Sequence, residues 1–439
     1  MTSFQPQSPL LRLFGFDSKR MTLRTEFLAG LTTFMTMSYI LAVNPDILSA
    51  ASMDKSAVFT ATALSSAVGT ILMAFLAKLP LAQAPGMGIN AFFAFTIVLG
   101  MGYSWEAALT AVFVEGLIFI LLTILNIRSK IVDCIPLNLR YAISVGIGMF
   151  IAFIGLKNAG IIVGNEATLV TRGHFNTTVA LAVISILISA VLIWKKVKGA
   201  LFYGIILCTL IGIPMGITGV PADFVPISVP PSMSPTFFKF DFAAILNPDM
   251  IIIIFILVFL DLFNTLGTLV AAGSQAGIMD KNGNFPQMKG ALMSDAIATS
   301  VGAIFGTSTV TTYVESSAGI AEGGRSGITA LVTGFLFLLS LFLAPVFLLV
   351  PSAATTGALL AVGVMMTMVI KDMNFSEVSE SFPAFVTLLT MVLTYSIADG
   401  IGYGLIVYTL VKVFTGQFRA VSPTLYVVSI LLIIYYVFH

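Results

Sequence analysis

Long apolar runs separated by short polar stretches recur along the whole chain. The runs occupy residues 26–46, 56–77, 86–101, 104–126, 140–157, 177–195, 199–217, 248–273, 291–305, 314–321, 327–350, 354–371, 382–398, 400–414 and 421–438. Many approach the length of about 20 residues that a helix needs to cross the hydrocarbon core of a bilayer. The pattern predicts an all-α polytopic membrane protein with about 14 transmembrane segments.

Composition supports this prediction. Hydrophobic residues make up 58% of the chain and charged residues 9%, whereas a soluble domain carries about a quarter charged residues. The two cysteines, Cys134 and Cys208, are expected to be small packing residues rather than a disulfide. The sequence contains no recognisable nucleotide-binding loop or His-based metal motif. We therefore expect no cofactor, no metal and no nucleic-acid partner, and we expect an ion gradient as the energy source.

Basic residues predict how the segments are oriented. They gather before the first segment, after the fourth, after the sixth and after the eighth; these residues are Lys19, Arg20, Arg24, Arg128, Lys130, Arg140, Lys195, Lys196, Lys198, Lys281 and Lys289. By the positive-inside rule these ends face the cytoplasm. We expect a cytoplasmic N-terminus at 1–25, a multi-pass location in the cell (inner) membrane, and an external connector at 219–247.

The connector divides the chain into halves at 26–218 and 248–439. Each half contains one apolar segment that opens with small, turn-prone residues, QAPGMGINA (83–91) and TSTVTTYVESSAGIAEGGRSG (307–327). With seven crossings per half, the second half must be inverted relative to the first. A pair of interrupted segments at matching positions indicates a substrate site in a transporter.

The two interrupted segments begin with extended stretches near 82–87 and 307–312. Non-helical backbone at membrane depth is tolerated only where protein or a polar cavity satisfies its N–H and C=O groups. The two stretches can therefore pair with each other. Each would be followed by a short helix whose N-terminus faces the centre of the protein.

Three polar residues within apolar segments are candidates for function. They are Glu315, Asp261 and Asn90. An ionisable residue at this depth costs about 2.5–3.5 kcal/mol, so it is a functional candidate by default. Structural alternatives remain: Asp261 could bond a neighbouring Thr, Glu315 could cap its own half-helix, and Asn90 could serve structural hydrogen bonding.

Four other charged residues are candidates for structural or gating roles. Glu115 lies inside a helix, and we favour structure over function for it. Glu322 and Arg325 lie three positions apart and are expected to form a gating or topological pair. Asp399, in IADGIGYG (397–404), is expected to be a cap or gate element, where the chain forms either one broken helix or two short ones.

Carboxyl groups facing one cavity suit a flat heterocycle. A carboxylate accepts hydrogen bonds from ring N–H groups, and a protonated carboxyl also donates to a carbonyl or ring nitrogen. Proton loading of Glu315 or Asp261 would couple ion movement to substrate binding. Amides and hydroxyls at Asn90, Asn264, Thr265 and Thr268 would complete the recognition of such a solute.

At these residues the chain resembles a known family. The matching stretches are GLTTFMTMSYILAVNPDIL (30–48), APGMGINAFFAF (84–95), DLFNTLGTL (261–269), DKNGNFPQMKGAL (280–292), TSTVTTYVESSAGIAEGGRSGITA (307–330) and TYSIADGIGYG (394–404). They resemble AzgA-like purine permeases of the nucleobase/ascorbate transporter superfamily. The resemblance implies a 7+7 inverted repeat, with short strands in segments 3 and 10, and proton-linked uptake of adenine, guanine or hypoxanthine.

The resemblance also implies domains and site residues. The core domain would comprise 26–126 and 248–350, and the gate domain 139–218 and 354–439. Glu315 would hold the base from segment ten, and Gly88 with Asn90 forms the signature of segment three. The full set of candidate substrate contacts is Glu315, Asp261, Asn264, Asn90, Gly88, Thr268 and Ser316.

The chain departs from the family pattern in segment eight. There the family commonly carries an acid where this sequence has Asn264, while Asp261 keeps the first acidic position. Two interpretations stay open: Asp261 takes over the acid function, or Asn264 binds the base directly as a neutral amide.

Alternative functions also stay open from the sequence alone. One is a transporter of another small solute, such as uracil, xanthine or an anion, on the same architecture. A more remote one is an intramembrane enzyme, for which no nucleophile–base or metal motif is found in the crossing segments. The sequence leaves open whether the protein is a monomer or a homodimer.

Overall fold

The chain forms a mostly helical membrane protein. The computed structural model describes residues 11, 13–125, 136–276 and 287–438. Within these residues, eight helices are long and apolar enough to cross a membrane, and four shorter apolar helices accompany them. The prediction of a polytopic helical membrane protein is therefore confirmed.

The described residues of the first half form eight helices and three strands. In chain order they are α1 (Leu23–Met37), α2 (Ile40–Ser49), α3 (Lys55–Leu72), β1 (Gln83–Pro85), α4 (Met87–Ala91), α5 (Trp105–Ile124), α6 (Leu137–Asn158), β2 (Ile162–Asn165), β3 (Leu169–Arg172), α7 (Thr177–Trp194) and α8 (Ala200–Gly212). Wider π-helical turns extend α3 through Met73–Ala77 and α4 through Phe92–Gly100. Several of these helices begin at a side chain that caps the first free N–H groups, namely Thr22, Asp54, Ser104 and Asn176.

The second half follows an irregular connector that ends in a 3-10 turn at Phe242–Leu246. Its elements are α9 (Pro248–Ala276), α10 (Met288–Phe305), β4 (Val310–Thr312), α11 (Ser316–Ala321), α12 (Gly327–Ser340), α13 (Ala344–Leu348), α14 (Ser352–Thr367), α15 (Val378–Leu393), α16 (Ile397–Phe414) and α17 (Pro423–Phe438). Short 3-10 turns lie at Leu341–Leu343, Met368–Asp372 and Phe418–Ala420.

A buried carboxylate joins the two halves. Glu26, near the start of α1, accepts hydrogen bonds from the backbone N–H groups of Arg325 (3.0 Å) and Ser326 (3.3 Å). It also accepts from the Thr329 hydroxyl at 2.6 Å. These donors lie at the N-terminus of α12, where a negative charge is stabilised by the exposed N–H groups and the helix dipole. The first and eleventh apolar segments are thereby held side by side.

The expected break within residues 397–404 is corrected by the structure. α16 runs without interruption from Ile397 to Phe414. The break lies just before it, where Tyr395 has a positive φ of 56° and the Ser396 hydroxyl accepts from the N–H of Asp399 at 3.2 Å. Ser396 is a good N-cap and starts a new helix there, and this local signal outweighs the glycines that suggested a later break.

The segment after the break returns beside the one before it. Lys412, near the end of α16, is buried and contacts Glu380 near the start of α15 at 2.7 Å. α15 and α16 therefore form an antiparallel helical hairpin.

The hairpin formed by β2 and β3 was not predicted from the sequence. Residues between α6 and α7 form an antiparallel β-hairpin in which Ile162 pairs with Arg172 and Asn165 with Leu169. Cys208 is buried in α8, as expected of a packing residue. Cys134 and three of the basic residues used for orientation, Arg128, Lys130 and Lys281, lie outside the described residues.

Candidate functional site

Two short strands meet in the middle of the protein. β1 pairs antiparallel with β4 in the register Gln83↔Thr312, Ala84↔Thr311 and Pro85↔Val310. The ladder continues on both sides, because the N–H of Gly86 donates to the carbonyl of Thr309 (2.9 Å) and the N–H of Tyr313 donates to the carbonyl of Ala82 (3.0 Å). The expected pairing of the two extended stretches is confirmed, and we call this region the strand crossing.

Glu315 lies directly after β4, at the start of α11. Its side chain is half-buried, and its Oε1 accepts a hydrogen bond from the Tyr39 hydroxyl at 2.7 Å. Its backbone carbonyl lies 3.4 Å from the Thr36 hydroxyl. Tyr39 and Thr36 flank the point where α1 ends and α2 begins, so Glu315 contacts a break in the first apolar segment. Sequence reasoning missed Tyr39, although it lies in a stretch that carries the family resemblance.

Two predicted site residues are engaged within the strand crossing itself. Asn90 is buried; its Oδ1 accepts from the Ser308 hydroxyl, and its Nδ2 lies 3.5 Å from the carbonyl of Pro85. The Ser316 hydroxyl, also buried, accepts from the backbone N–H of Ala82 at 3.0 Å. Both side chains satisfy backbone and side-chain groups of irregular segments, as buried polar groups must.

Glycines allow the strand crossing to be tightly packed. A Cβ added at Gly86 would lie 2.7 Å from Cγ2 of Thr311, and one added at Gly88 would lie 2.6 Å from Cγ2 of Ile147 on α6. Any larger residue would displace these neighbours. Gly88 is therefore a point of close approach between α4 and α6.

The polar face of α9 also reaches the strand crossing. Asp261 is buried and its Oδ1 lies 3.4 Å from the Thr265 hydroxyl. Asn264 is exposed, and its Nδ2 lies 3.4 Å from Oγ1 of Thr311 in β4. Thr268 is buried one turn further along the helix. Asn264 is the residue of this set that both contacts the strand crossing and remains accessible.

A third acid, which sequence reasoning missed, contacts both strands. Asp295 on α10 is buried, and its Oδ1 accepts from Nε2 of Gln83 (3.2 Å) and from the Thr312 hydroxyl (3.3 Å). Its Oδ2 accepts from the Thr265 hydroxyl at 2.8 Å. The signal was present, since an acid inside the apolar segment 291–305 is the same feature that selected Asp261.

Glu115 is buried beside the same region. Its Oε2 accepts from the Thr309 hydroxyl at 2.6 Å, just before β4 begins. This contact fits the structural role that we favoured from the sequence, because it anchors the extended stretch to α5.

The predicted Glu322–Arg325 pair is corrected. Glu322 forms its ion pair with Lys198, between α7 and α8. Arg325 instead directs Nη1 to the carbonyls of Ile320 (2.6 Å) and Gly324 (2.7 Å). The guanidinium satisfies carbonyls at the C-terminal end of α11, which is favourable for a cation, and this leaves Glu322 to the lysine.

Asp399 lies in the first turn of α16, away from the strand crossing in sequence and in its contacts. Its Oδ1 accepts from the Tyr436 hydroxyl of α17 at 3.1 Å. The acid thus links the last two helices.

Known proteins are similar in sequence to this chain over nearly its whole length. Residues 24–402 match the Permease family. Adenine permease AdeP of Escherichia coli (strain K12) is 42% identical over 441 residues, which cover 100% of this chain and 98% of AdeP. Guanine/hypoxanthine permease PbuG of Bacillus subtilis (strain 168) is 43% identical over 437 residues, which cover 97% of this chain and 99% of PbuG.

Solved structures share the fold at lower identity. The transmembrane domain of the cyanobacterial bicarbonate transporter BicA superposes with a TM-score of 0.67 at 19% identity, covering 86% of this chain and 98% of that domain. SLC26A9 superposes with a TM-score of 0.65 at 13% identity, covering 93% of this chain and 69% of SLC26A9. The chain therefore belongs to the Permease family, as the resemblance of its motifs to AzgA-like permeases implied, and it is a multi-pass membrane transporter rather than an enzyme.

Proposed function

We propose that this protein is a secondary active transporter that imports the purine nucleobases adenine, guanine or hypoxanthine by proton symport. The names of AdeP and PbuG support a purine substrate. The observation that carries the proposal is Glu315, whose half-buried side chain lies at the strand crossing and is held by Tyr39 at 2.7 Å. Such a group offers an acceptor for the N–H groups of a planar base.

The base would bind between Glu315 and the polar face of α9. Glu315 would accept from a ring N–H, and Asn264 would contact another edge of the ring. Gly88 would allow close approach of α4, and Asp261, Thr268, Asn90 and Ser316 would complete the polar wall or support it. Since Asn90 and Ser316 already bond within the strand crossing, we assign them supporting roles.

Coupling would follow from protonation at Glu315 or Asp261. A proton taken up with the base removes a negative charge that is costly to move through the low-dielectric interior. The form that carries both base and proton can then change orientation more readily than a form that carries the base alone, and this ties the two movements together. The same argument gives a reason for Glu315 and Asp261 to lie among apolar segments.

The architecture we propose is a 7+7 inverted repeat that moves by alternating access. A core domain (26–126 and 248–350) carries the site and moves against a gate domain (139–218 and 354–439). The similarity of fold to BicA and SLC26A9 supports this arrangement. We further propose an inner-membrane location with a cytoplasmic N-terminus, and association of two copies through the gate domains.

Uptake measurements test the proposal. Cells lacking their own purine and pyrimidine permeases would express the protein and receive radiolabelled adenine, guanine, hypoxanthine, xanthine or uracil, with and without a protonophore. We expect accumulation of purines that the protonophore abolishes. Glu315→Gln should abolish or severely impair uptake while the protein still reaches the membrane.

Three results would contradict the proposal. Uracil uptake without purine uptake would reject the substrate class. Accumulation that persists with the protonophore but requires sodium would reject proton coupling. Wild-type uptake by Glu315→Gln would reject the role of that carboxyl group.

A further inference from the structure

A chain of hydroxyl groups connects a buried acid to the accessible amide of Asn264. The Thr265 hydroxyl lies 2.8 Å from Oδ2 of Asp295 and 2.8 Å from Oγ1 of Thr311. Oγ1 of Thr311 in turn lies 3.4 Å from Nδ2 of Asn264. The four side chains come from α10, α9 and β4, so the chain passes through the strand crossing to its accessible side.

The acid fixes the direction of the first hydrogen bond. Asp295 also accepts from Gln83 and Thr312. Three donors that converge on one acid favour its ionised form, and an ionised carboxylate acts only as an acceptor. Thr265 has a single hydroxyl proton and must give it to a carboxylate. In its longer contact with Asp261, at 3.4 Å, the Thr265 hydroxyl is likewise the donor. Thr265 therefore has no proton left for Thr311.

The direction of this hydrogen bond determines the directions of the next two, up to Asn264. Since Thr265 can only accept from Thr311, the Thr311 hydroxyl proton points toward Thr265. The oxygen of Thr311 then accepts from an N–H of Asn264, which fixes which end of the amide faces β4. Asn264 consequently presents its carbonyl oxygen and its second N–H to the accessible side.

We propose that Thr265 is a positioning residue that orients the Asn264 amide and thereby selects 6-aminopurines over 6-oxopurines. An amide oxygen and N–H side by side match the exocyclic amine and N7 of adenine, which form a bidentate pair with Asn or Gln. A 6-oxopurine held in the same pose, with the same ring edge toward Asn264, would place its carbonyl oxygen against the amide oxygen. The inference rests on the proposed function and adds a substrate preference to it.

This arrangement offers a reason for Asn264 at a position where the family commonly carries an acid. An aspartate at this position would present two acceptors and no donor. It would suit a base edge with two N–H groups, such as the ring N–H and exocyclic amine of guanine, rather than adenine. Asn264→Asp is therefore expected to shift preference from adenine toward guanine.

Competition experiments test the role of Thr265. Uptake of labelled adenine would be inhibited by unlabelled adenine or hypoxanthine, and the ratio of the two inhibition constants gives the preference. Thr265→Val keeps the shape of the side chain but removes the acceptor for Thr311, which frees the amide to turn. We expect the adenine preference to fall by about tenfold, the effect of one mismatched hydrogen bond.

Three matched variants separate orientation from packing. Thr265→Ser keeps the hydroxyl and should keep the wild-type ratio. Thr299→Val removes a hydroxyl that bonds the β4 carbonyl of Val310 at 2.8 Å; it disturbs the same strand and should leave the ratio unchanged. In an Asn264→Asp background, Thr265→Val should have no effect on the ratio, because a carboxylate has no amide to turn.

The outcomes distinguish this inference from the proposed function. An unchanged or increased adenine preference in Thr265→Val would overturn the inference while leaving purine transport intact. If Thr265→Val reaches the membrane but does not transport, the dissociation constants of the purified protein for adenine and hypoxanthine, measured by calorimetry, give the same ratio and decide the inference in the same way. A wild-type protein that takes up neither base would overturn the proposed function itself.

Discussion

The Tyr39 hydroxyl donates to Oε1 of Glu315 across 2.7 Å and joins the break in the first apolar segment to the half-helix of the tenth. Tyr39 also lines a small apolar cavity together with Phe202 and Ile205 of α8 and Phe347 of α13. The residue that positions the candidate substrate acid is therefore packed against a helix assigned to the gate domain. The binding that we propose at Glu315 and the packing against α8 therefore both depend on the side chain of Tyr39.

Replacing Tyr39 by Phe should weaken substrate binding without unfolding the protein. The variant keeps the ring but removes a hydrogen bond to a charged group, which contributes about 1.5 kcal/mol or more. We expect the KM for purine uptake to rise by about tenfold. Surface expression and the unfolding midpoint in detergent serve as controls. A KM equal to that of the wild type would show that the bond has no part in binding.

Introducing a methyl group at Gly88 should slow transport. The added Cβ would lie 2.6 Å from Cγ2 of Ile147, a distance at which one of the two helices must shift. We expect Gly88→Ala to reduce the uptake rate at least tenfold while the protein still reaches the membrane. Ile147→Ala removes the clashing atom, so the double variant should recover most of the rate. If the uptake rate of the double variant does not recover, the slower transport of Gly88→Ala does not arise from the contact with Ile147.

Breaking the Lys198–Glu322 ion pair should have a small effect. Its side chains are 58% and 30% exposed, and ion pairs of this kind contribute about 1 kcal/mol or less. We expect Lys198→Ala to change the uptake rate by less than about fivefold, and the change to shrink as salt concentration rises. The charge-reversed pair Lys198→Glu with Glu322→Lys should behave as the wild type. A complete loss of uptake in Lys198→Ala would indicate a role beyond this contact.

Removing the Glu26 carboxylate should destabilise the protein. Glu26→Ala leaves the N–H groups of Arg325 and Ser326 and the Thr329 hydroxyl without this acceptor. A cost of about 3 kcal/mol follows from unsatisfied buried donors. We expect a lower unfolding midpoint in detergent, with a smaller loss for Glu26→Gln, which retains one acceptor oxygen. Equal midpoints for Glu26→Ala and wild type would exclude this capping role.

Candidate residues could be identified from the sequence when the pattern of a single apolar segment was enough to reveal them. An acid or amide in an apolar run stands out at once, which is how Glu315, Asp261 and Asn90 were selected. The small, β-branched composition of 307–312 likewise indicated a strand, and β4 is found there.

Contacts between residues of different segments could not be predicted in the same way. Asp295 matters because three donors from different elements converge on it, and no local pattern encodes that convergence. The partner of Glu322 was predicted from nearness in sequence, whereas Lys198 reaches it from a distant segment. The β2–β3 hairpin escaped notice because its residues carry neither an apolar alternation nor a two-residue glycine turn.

The strand crossing is held in shape by side chains of the protein itself. Asn90, Ser316 and Asp295 bond backbone and side-chain groups within it and beside it. Under the proposed function, a base that binds there would not have to supply the free energy of ordering these groups. Recognition would then depend on the few accessible side chains beside the crossing, such as Asn264. Small exchanges among them would redirect the protein to a different cargo while its framework stays the same.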